Sequence, residues 1–418
     1  MLIEQCITWF LKKKNNQYLR FQADEEVNCP DNKKEKNALL YIHIPFCERL
    51  CPYCSFNRYP FEELLARNYF AALRKELTLY REKGYDCSGV YIGGGTPTIL
   101  LDELDKTLSA VHRLYSIQEV SLETNPNHIT EEKIKILQTM GINRLSVGVQ
   151  SFDDSILRSV DRYEKYGNGQ EIQQRLRMAQ GNFDTLNVDM IFNFPHQTMK
   201  MLEKDLDILL TIQADQVTFY PLMVSSSTQK EMEKRIGRKV DYAQEKRFYF
   251  KILQKLSGQF FPATAWCFSR KKTMIDEYII DYDEYVGAGS GAFGYLDGCI
   301  YANTFSLEQY IKTLQNGQLP LMSKKIFTIQ EQMRYDFLMK LFGGSLDLTK
   351  LKMKFENNIY RYLWFEILTF RLLGGIRISN DCLLLTPKGR YYWVIMMREF
   401  FIGVNNFRDY CRSIIADT

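Results

Sequence analysis

Six short runs rich in β-branched and aromatic residues recur between residues 38 and 222: "ALLYIHI", "GVYIGGG", "EVSLETN", "RLSVGVQ", "TLNVDMIFNF" and "QVTFYPL". Amphipathic stretches separate them, among them Arg67 to Lys83, Leu101 to Tyr115 and Glu131 to Met140. Near-continuous apolar strands joined by helical crossovers predict an α/β fold with a parallel sheet covered by helices. Six such units suit an open, partial (β/α)6 barrel better than a closed eight-unit one. In these sheets ligands gather at the C-terminal ends of the strands.

Beyond about residue 240 the rhythm fades. From Thr328 the pattern is helical, and "GGIRISNDCLLLTPKGRYYW" reads as two short strands around a turn, a smaller α+β, winged-helix-like unit. The expected organisation is an N-terminal segment and linker (1–37), a barrel with its own extension (38–305), and a winged-helix-like and helical region (306–418). Without a strong basic stripe, no nucleic-acid partner is expected of that last unit.

Composition narrows the setting. The 418 residues carry a net charge of only +4, too balanced to argue for a polyanionic partner. Seven of the ten cysteines are scattered, which is no disulfide framework for a chain this long. The N-terminus lacks a secretory signal pattern, and no run reaches the roughly 18 apolar residues of a membrane span. The expected location is therefore cytoplasmic and reducing, where a tight cysteine group means metal or redox chemistry.

The remaining three cysteines, Cys47, Cys51 and Cys54, crowd the loop after the first strand, "YIHIPFCERLCPYCSF". A structural zinc site wants four ligands, and His43 is too close to Cys47 to complete one comfortably. A redox pair Cys51/Cys54 leaves Cys47 unexplained. An iron–sulfur cluster held by three thiolates keeps one iron open for a small molecule.

Cys-x3-Cys-x2-Cys with Tyr53 before the last cysteine resembles the radical S-adenosylmethionine superfamily. "YIHIPFC" is similar to the branch that holds oxygen-independent coproporphyrinogen oxidase, related haem chaperones and a class of radical methyltransferases. The resemblance covers roughly Leu39 to Thr304. It implies a [4Fe-4S] cluster on Cys47, Cys51 and Cys54, and two molecules of S-adenosylmethionine. The first would meet Tyr41, Gly94 of "GGGTP" and Glu123 of "SLETNP". The second would meet Gln150, Arg162 and Asp189, with Tyr53, Gly95 and Thr96 around it. An amide and a carboxylate suit hydroxyl groups, and a guanidinium suits a carboxylate.

Departures from relatives steer the finer expectation. Phe56 stands where coproporphyrinogen oxidases carry a further cysteine, and no histidine follows His196 to serve as a haem ligand. The stretch from Phe219 to Phe305 and the aromatic C-terminus most resemble menaquinone 8-methyltransferases. That resemblance implies methyl transfer to an sp2 ring carbon, one S-adenosylmethionine giving the radical and another the methyl group. Cys267, Asp276, Glu277 and Tyr278 are then candidate proton acceptors, with no catalytic residue singled out among them. The implied partners are a membrane-resident quinone and a one-electron donor. The enzyme would then touch the inner face of the membrane. "ITWFLKKKNN" or the segment Tyr391 to Ile402 could lie at that interface, although both also read as amphipathic helices packed on the core, the preferred reading for the latter. The alternative function is a haem chaperone or a tetrapyrrole-modifying radical enzyme.

Overall fold

Each of the six predicted runs is a strand in the computed structural model, which describes residues 4–8, 37–237, 240–271, 282–356 and 359–416. Strand β1 (Asn37–Ile44) leads into β2 (Phe46–Cys47), which pairs in parallel with β3 (Tyr59–Pro60) and closes the cysteine loop at its base. Helix α1 (Glu63–Glu82) crosses to β4 (Asp86–Gly94), and α2 (Leu101–Leu114) to β5 (Glu119–Thr124). Helix α3 (Glu131–Thr139) precedes β6 (Arg144–Gln150). Three helices, α4 (Asp154–Ser159), α5 (Tyr163–Tyr166) and α6 (Gly169–Ala179), precede β7 (Thr185–Phe192). Helix α7 (Met199–Thr211) then leads to β8 (Gln216–Pro221).

Strands β1, β4, β5, β6, β7 and β8 lie side by side in that order and all pair in parallel. The α/β partial barrel expected from the runs is thus the observed one. Val188, Met190, Val217 and Leu145 are among the strand residues with no more than 1% exposure, because helices cover one face while the barrel interior closes on the other.

The sheet continues past both ends of this core. After α8 (Ser226–Ile236) and α9 (Tyr242–Leu256), β9 (Phe261–Pro262) and β10 (Cys267–Ser269) extend it antiparallel beyond β8. On the other edge β11 (Tyr285–Ala288) pairs in parallel with β1. The antiparallel strands β12 (Phe293–Leu296) and β13 (Cys299–Asn303) follow; α10 (Leu307–Gln315) then leads to β14 (Leu321–Ile326), which pairs antiparallel with β13. Twelve strands result. Gly287 and Gly294 allow this folding back: a Cβ at Gly287 would stand 2.0 Å from the Phe293 carbonyl oxygen, and one at Gly294 2.2 Å from the Tyr301 ring.

The remaining chain forms α11 (Ile329–Phe342), β15 (Ser345–Asp347), α12 (Leu348–Lys354), α13 (Ile359–Leu372), the hairpin β16 (Ile376–Ser379) and β17 (Cys382–Leu385), and α14 (Pro387–Ala416). The two short strands read from "GGIRISNDCLLL" are β16 and β17.

The segment Tyr391 to Ile402, read either as a membrane-surface helix or as one packed on the core, packs on the core. Tyr391 to Met397 are all buried, and Trp393 donates its indole N–H to the Leu338 carbonyl at 2.9 Å. Burying each large apolar side chain contributes about 2 kcal/mol, so this face has no reason to leave the core. Arg398 beyond it is also buried, pairing with Glu245 on α9 and with Glu399 at 2.7 Å. The other membrane candidate, "ITWFLKKKNN", lies mostly outside the described residues. Among those described, no helix is long and apolar enough to cross a membrane.

Candidate radical-chemistry site

The three cysteines sit beyond the C-terminal end of β1 in a loop that its own backbone folds. Cys54 N–H donates to the Cys51 carbonyl at 3.1 Å, and Phe61 N–H to that of Cys47 at 2.9 Å. Arg58 then gathers the loop, donating to the carbonyls of Cys51 (2.7 Å) and Cys54 (2.6 Å). Glu48 anchors its outer side through Lys165 and an Asn127 amide at 3.2 Å. Burial, with the Cys54 thiol beside it, pushes the Cys47 thiol up to about 12. A free thiolate is therefore disfavoured there, and a positively charged iron centre would supply the compensation.

All three thiols line one cavity of about 340 Å³, a volume typical of small-molecule sites. Two donors address the sulfurs. The Thr96 hydroxyl is 3.8 Å from Cys47 Sγ, and Arg162 Nη1 is 3.6 Å from Cys51 Sγ. Among the described residues no group of three or more His, Cys, Asp or Glu side chains is arranged to hold a single metal ion. Three thiols around a shared cavity, with hydrogen-bond donors behind them, fit a polynuclear iron–sulfur cluster.

The residues assigned to the first S-adenosylmethionine come together. Tyr41, Gly94 and Glu123 all line the cavity. Glu123 accepts hydrogen bonds from Gly94 N–H (3.0 Å) and the Tyr91 hydroxyl (2.8 Å). Burial, and then the nearby Asp189, raise its carboxyl to about 7. Gly93 is needed beside it, since a Cβ there would lie 2.7 Å from that carboxyl. Behind Tyr41, its hydroxyl meets His43 Nδ1 at 2.9 Å, and His43 Nε2 donates to the Asn57 carbonyl at 2.8 Å. Burial lowers the His43 pKa to about 4, so a neutral imidazole ties β1 to the far end of the cysteine loop.

The second set is arranged less simply. Tyr53, Gly95, Gln150, Arg162 and Asp189 line the same cavity. Gln150 follows a bulge in β6 and has φ +73°, a strained left-handed conformation of the kind found at ligand sites. Asp189 accepts from Ser146 (2.6 Å) and Asn187 (2.8 Å), and burial raises its pKa. Thr96 is buried behind the wall, bonded to Cys47 and Asn125 rather than facing the cavity. Arg162 stacks on Tyr166 (4.0 Å) and donates to Asn125 Oδ1 at 3.0 Å and to the Gly148 carbonyl. Its two arms are thus shared among Cys51, Tyr53, Asn125 and Gly148 rather than forming an open fork.

Of the candidate proton acceptors, Cys267 belongs to β10, fully buried and paired with Thr218, and it does not line the cavity. It is no candidate. Asp276, Glu277 and Tyr278 lie outside the described residues.

Several contributors were not foreseen. Tyr220 and Trp266, 5.4 Å apart, form one wall, and Tyr285 and Tyr335 another. Phe400, Phe401, Asn405 and Arg408 approach from α14. The Arg408 guanidinium stands 5.0 Å from the Phe56 ring, so Phe56, the departure at the fourth cysteine position, packs beneath a cation at the site. Only Asn125, two residues after Glu123, had a signal in the sequence; α14 is too distant along the chain for any local pattern to show it.

With the site described, its relatives can be compared. The radical SAM superfamily model matches residues 41–209. The heme chaperone HemW of Bacillus subtilis is 31% identical over 313 residues, covering 72% of this chain and 82% of that protein. HemW of Lactococcus lactis is 29% identical over 388 residues, covering 89% of this chain and all of the relative. An anaerobic coproporphyrinogen III oxidase of Cereibacter sphaeroides is 32% identical over 189 residues, covering 43% of this chain and 41% of that enzyme. Among solved structures, coproporphyrinogen III oxidase HemN from Escherichia coli superposes with a TM-score of 0.77 at 21% identity, covering 91% of this chain and 95% of its own, which shows a shared fold.

These relatives overturn the menaquinone methyltransferase expectation. Of these, the two sequence matches over most of the chain are heme chaperones, and the match over 43% of it is a coproporphyrinogen oxidase, the alternative reading. The softer resemblances in 219–305 and in the aromatic C-terminus misled: the latter is core packing, and Cys267 is part of a sheet. With the methyl acceptor falls the argument for a quinone partner. Membership implies a [4Fe-4S] cluster and S-adenosylmethionine. The chain belongs to the radical SAM superfamily, in the branch of the oxygen-independent coproporphyrinogen oxidases and HemW.

Proposed function

We propose that this protein is a radical S-adenosylmethionine enzyme acting on a tetrapyrrole. The observation that carries the reading is one continuous cavity lined both by the three cysteines and by aromatic side chains and the Arg408 guanidinium. A planar macrocycle with carboxylate side chains presents a π-face to Tyr220, Trp266 and Tyr335, and an anion to Arg408. The names of the relatives, heme chaperone and coproporphyrinogen III oxidase, point to the same substrate class.

Cys47, Cys51 and Cys54 would hold the cluster, which when bound supplies reductive cleavage of S-adenosylmethionine. The protein groups orient and protect. Glu123, once ionised, offers a carboxylate to the cationic methionyl end, and Gly94 lets that end approach the backbone. Tyr53, Gln150, Asp189 and Arg162, which all line the cavity, offer polar contacts for a second S-adenosylmethionine. Equilibrium dialysis of cluster-loaded protein tests this: two molecules per chain support the second site, one refutes it. An electron donor remains part of the proposal, since the cluster must be reduced.

A carrier that only binds haem is the second reading, favoured by the coverage of the HemW match. Against it, none of the four histidines (His43, His112, His128 and His196) lines the cavity, so no imidazole can serve there as an iron ligand. The test is anaerobic turnover with reductant, S-adenosylmethionine, and either haem or coproporphyrinogen. Formation of 5′-deoxyadenosine together with a changed tetrapyrrole mass supports the enzyme. Stoichiometric haem binding with neither product assigns the carrier.

A further inference from the structure

Helix α13 stands immediately before the β16–β17 hairpin, in the place from which a winged-helix unit presents a recognition helix. One face is properly buried. Leu363 and Ile367 are in the core, Phe370 packs 4.9 Å from Trp393, and Glu366 binds Arg334 at 2.7 Å. The opposite face is apolar too. Tyr360, Trp364 (57% exposed), Phe365 (56%), Leu368 and Leu372 (78%) recur at helical spacing toward solvent. A helix apolar all round is normally buried, and a large exposed patch of this kind marks an interaction surface.

Charge decides what covers it. Between residues 343 and 390 the chain carries eight Lys and Arg against four Asp and Glu, an excess equal to the net charge of the whole protein. Arg361 and Arg371 flank the apolar stripe on α13, Lys352 of α12 lies 5.4 Å from the Tyr360 ring, and Arg377 is exposed on β16. Arg361, Arg371 and Arg377 form no ion pair among the described residues. A second copy of the same face would bring like charges together, and nucleic acid would leave the aromatic stripe in water. Aromatic and aliphatic side chains bordered by unpaired cations match the interface of an anionic bilayer, where rings sink to headgroup level and cations meet phosphates.

We propose that α13 is a membrane-docking helix, seated by Trp364, Phe365, Leu368 and Leu372 in a bilayer surface rich in anionic lipid and held there by Arg361, Arg371 and Arg377. This surface is separate from the two segments considered from sequence alone, and it does not depend on the tetrapyrrole reading.

Flotation of the full-length, cluster-loaded protein tests it, with phosphatidylcholine vesicles containing or lacking phosphatidylglycerol. Binding should be about tenfold or more stronger with the anionic lipid and fall with added salt. Arg361→Gln/Arg371→Gln should weaken it, and Trp364→Ser/Leu368→Ser should abolish it while iron content and S-adenosylmethionine cleavage stay as in the parent. Equal binding to both vesicles, or binding that survives Trp364→Ser/Leu368→Ser, overturns the proposal. So does a concentration-dependent dimer that this double variant dissociates while vesicles capture nothing; that result assigns the face to self-association.

Discussion

Arg162 Nη1 lies 3.6 Å from the sulfur of Cys51, while the same guanidinium stacks 4.0 Å above the Tyr166 ring and spends its other arm on Asn125 and Gly148. A residue expected to grip a ligand carboxylate is thus also a buried cation beside one of the three thiols that would hold the cluster. A cation there stabilises the more negative, reduced state of the cluster.

Replacing Arg162 by Gln should therefore lower the cluster's reduction potential, by roughly 50 mV for about 1 kcal/mol of lost stabilisation. Anaerobic redox titration followed by electron paramagnetic resonance reads this directly. An unchanged potential would mean that Arg162 acts on the ligand alone.

Glu123 gives a pH dependence. Its carboxyl is held near 7 by burial and by Asp189, and in the proposed reading it meets the cationic methionyl end of S-adenosylmethionine. Protons compete with the ligand, so affinity should climb as pH rises from about 6 to 8 and level off once Glu123 is ionised. Glu123→Gln should bind at least roughly tenfold more weakly and lose the pH dependence. Isothermal titration on cluster-loaded protein checks both.

How much of this was legible in the sequence depended on range. The run from Ala38 to Ile44 is a strand because local β propensity and burial on both faces agree, and the same holds for the other five. The cysteine spacing is local too, and it survives folding intact. What failed was non-local. Tyr391 to Met397 has a composition that fits either an interfacial helix or one packed on the core, and only packing against residues more than fifty positions earlier, such as Leu338, decides for the core. Arg408 reaches Phe56 across some 350 residues, so no spacing rule could pair them. The exposed face of α13 escaped notice for the opposite reason: its apolar residues read as core when the partner surface is unknown.

Gly95 carries a stability prediction. Its N–H donates to the Ile44 carbonyl at 2.7 Å, and Thr96 N–H to that of Phe46 at 2.7 Å, joining the glycine loop to the start of the cysteine loop. A Cβ at Gly95 would stand 2.6 Å from the Phe46 oxygen and 2.9 Å from that of Ile44, both backbone atoms that cannot swing away. Gly95→Ala should destabilise the fold by about 2 kcal/mol and reduce iron retention after reconstitution. Urea unfolding and iron analysis measure the two effects, and a midpoint unchanged from the parent would contradict the close approach.

Glu76 supplies the last prediction. It lies on α1, fully buried, and its carboxyl receives Gly289 N–H at 2.8 Å, Asn303 Nδ2 at 2.7 Å and the Tyr310 hydroxyl. One side chain thereby joins α1 to β13, α10 and the end of β11. Burial outweighs these donors and raises its pKa to about 7, against an ordinary 4.5. The folded protein therefore holds a proton on Glu76 over a range where the unfolded chain has released it. The contribution of Glu76 to stability thus falls by about 3 kcal/mol as pH rises from about 4.5 to 7, and is constant above 7. Glu123 and Asp205, also raised to about 7, slope the same way, so Glu76→Gln should flatten the curve by about one proton's share without removing it. Glu76→Ala should cost about 3 kcal/mol at all pH values, because three buried donors lose their acceptor. Urea midpoints measured between pH 5 and pH 8 distinguish these outcomes. His43, lowered to about 4, and His128, also lowered, slope the other way, because the unfolded chain still binds their protons below about 6.5. The test is therefore the difference between the two curves, and a Glu76→Gln curve parallel to the parent's would show that Glu76 is ionised throughout, held so by its three donors.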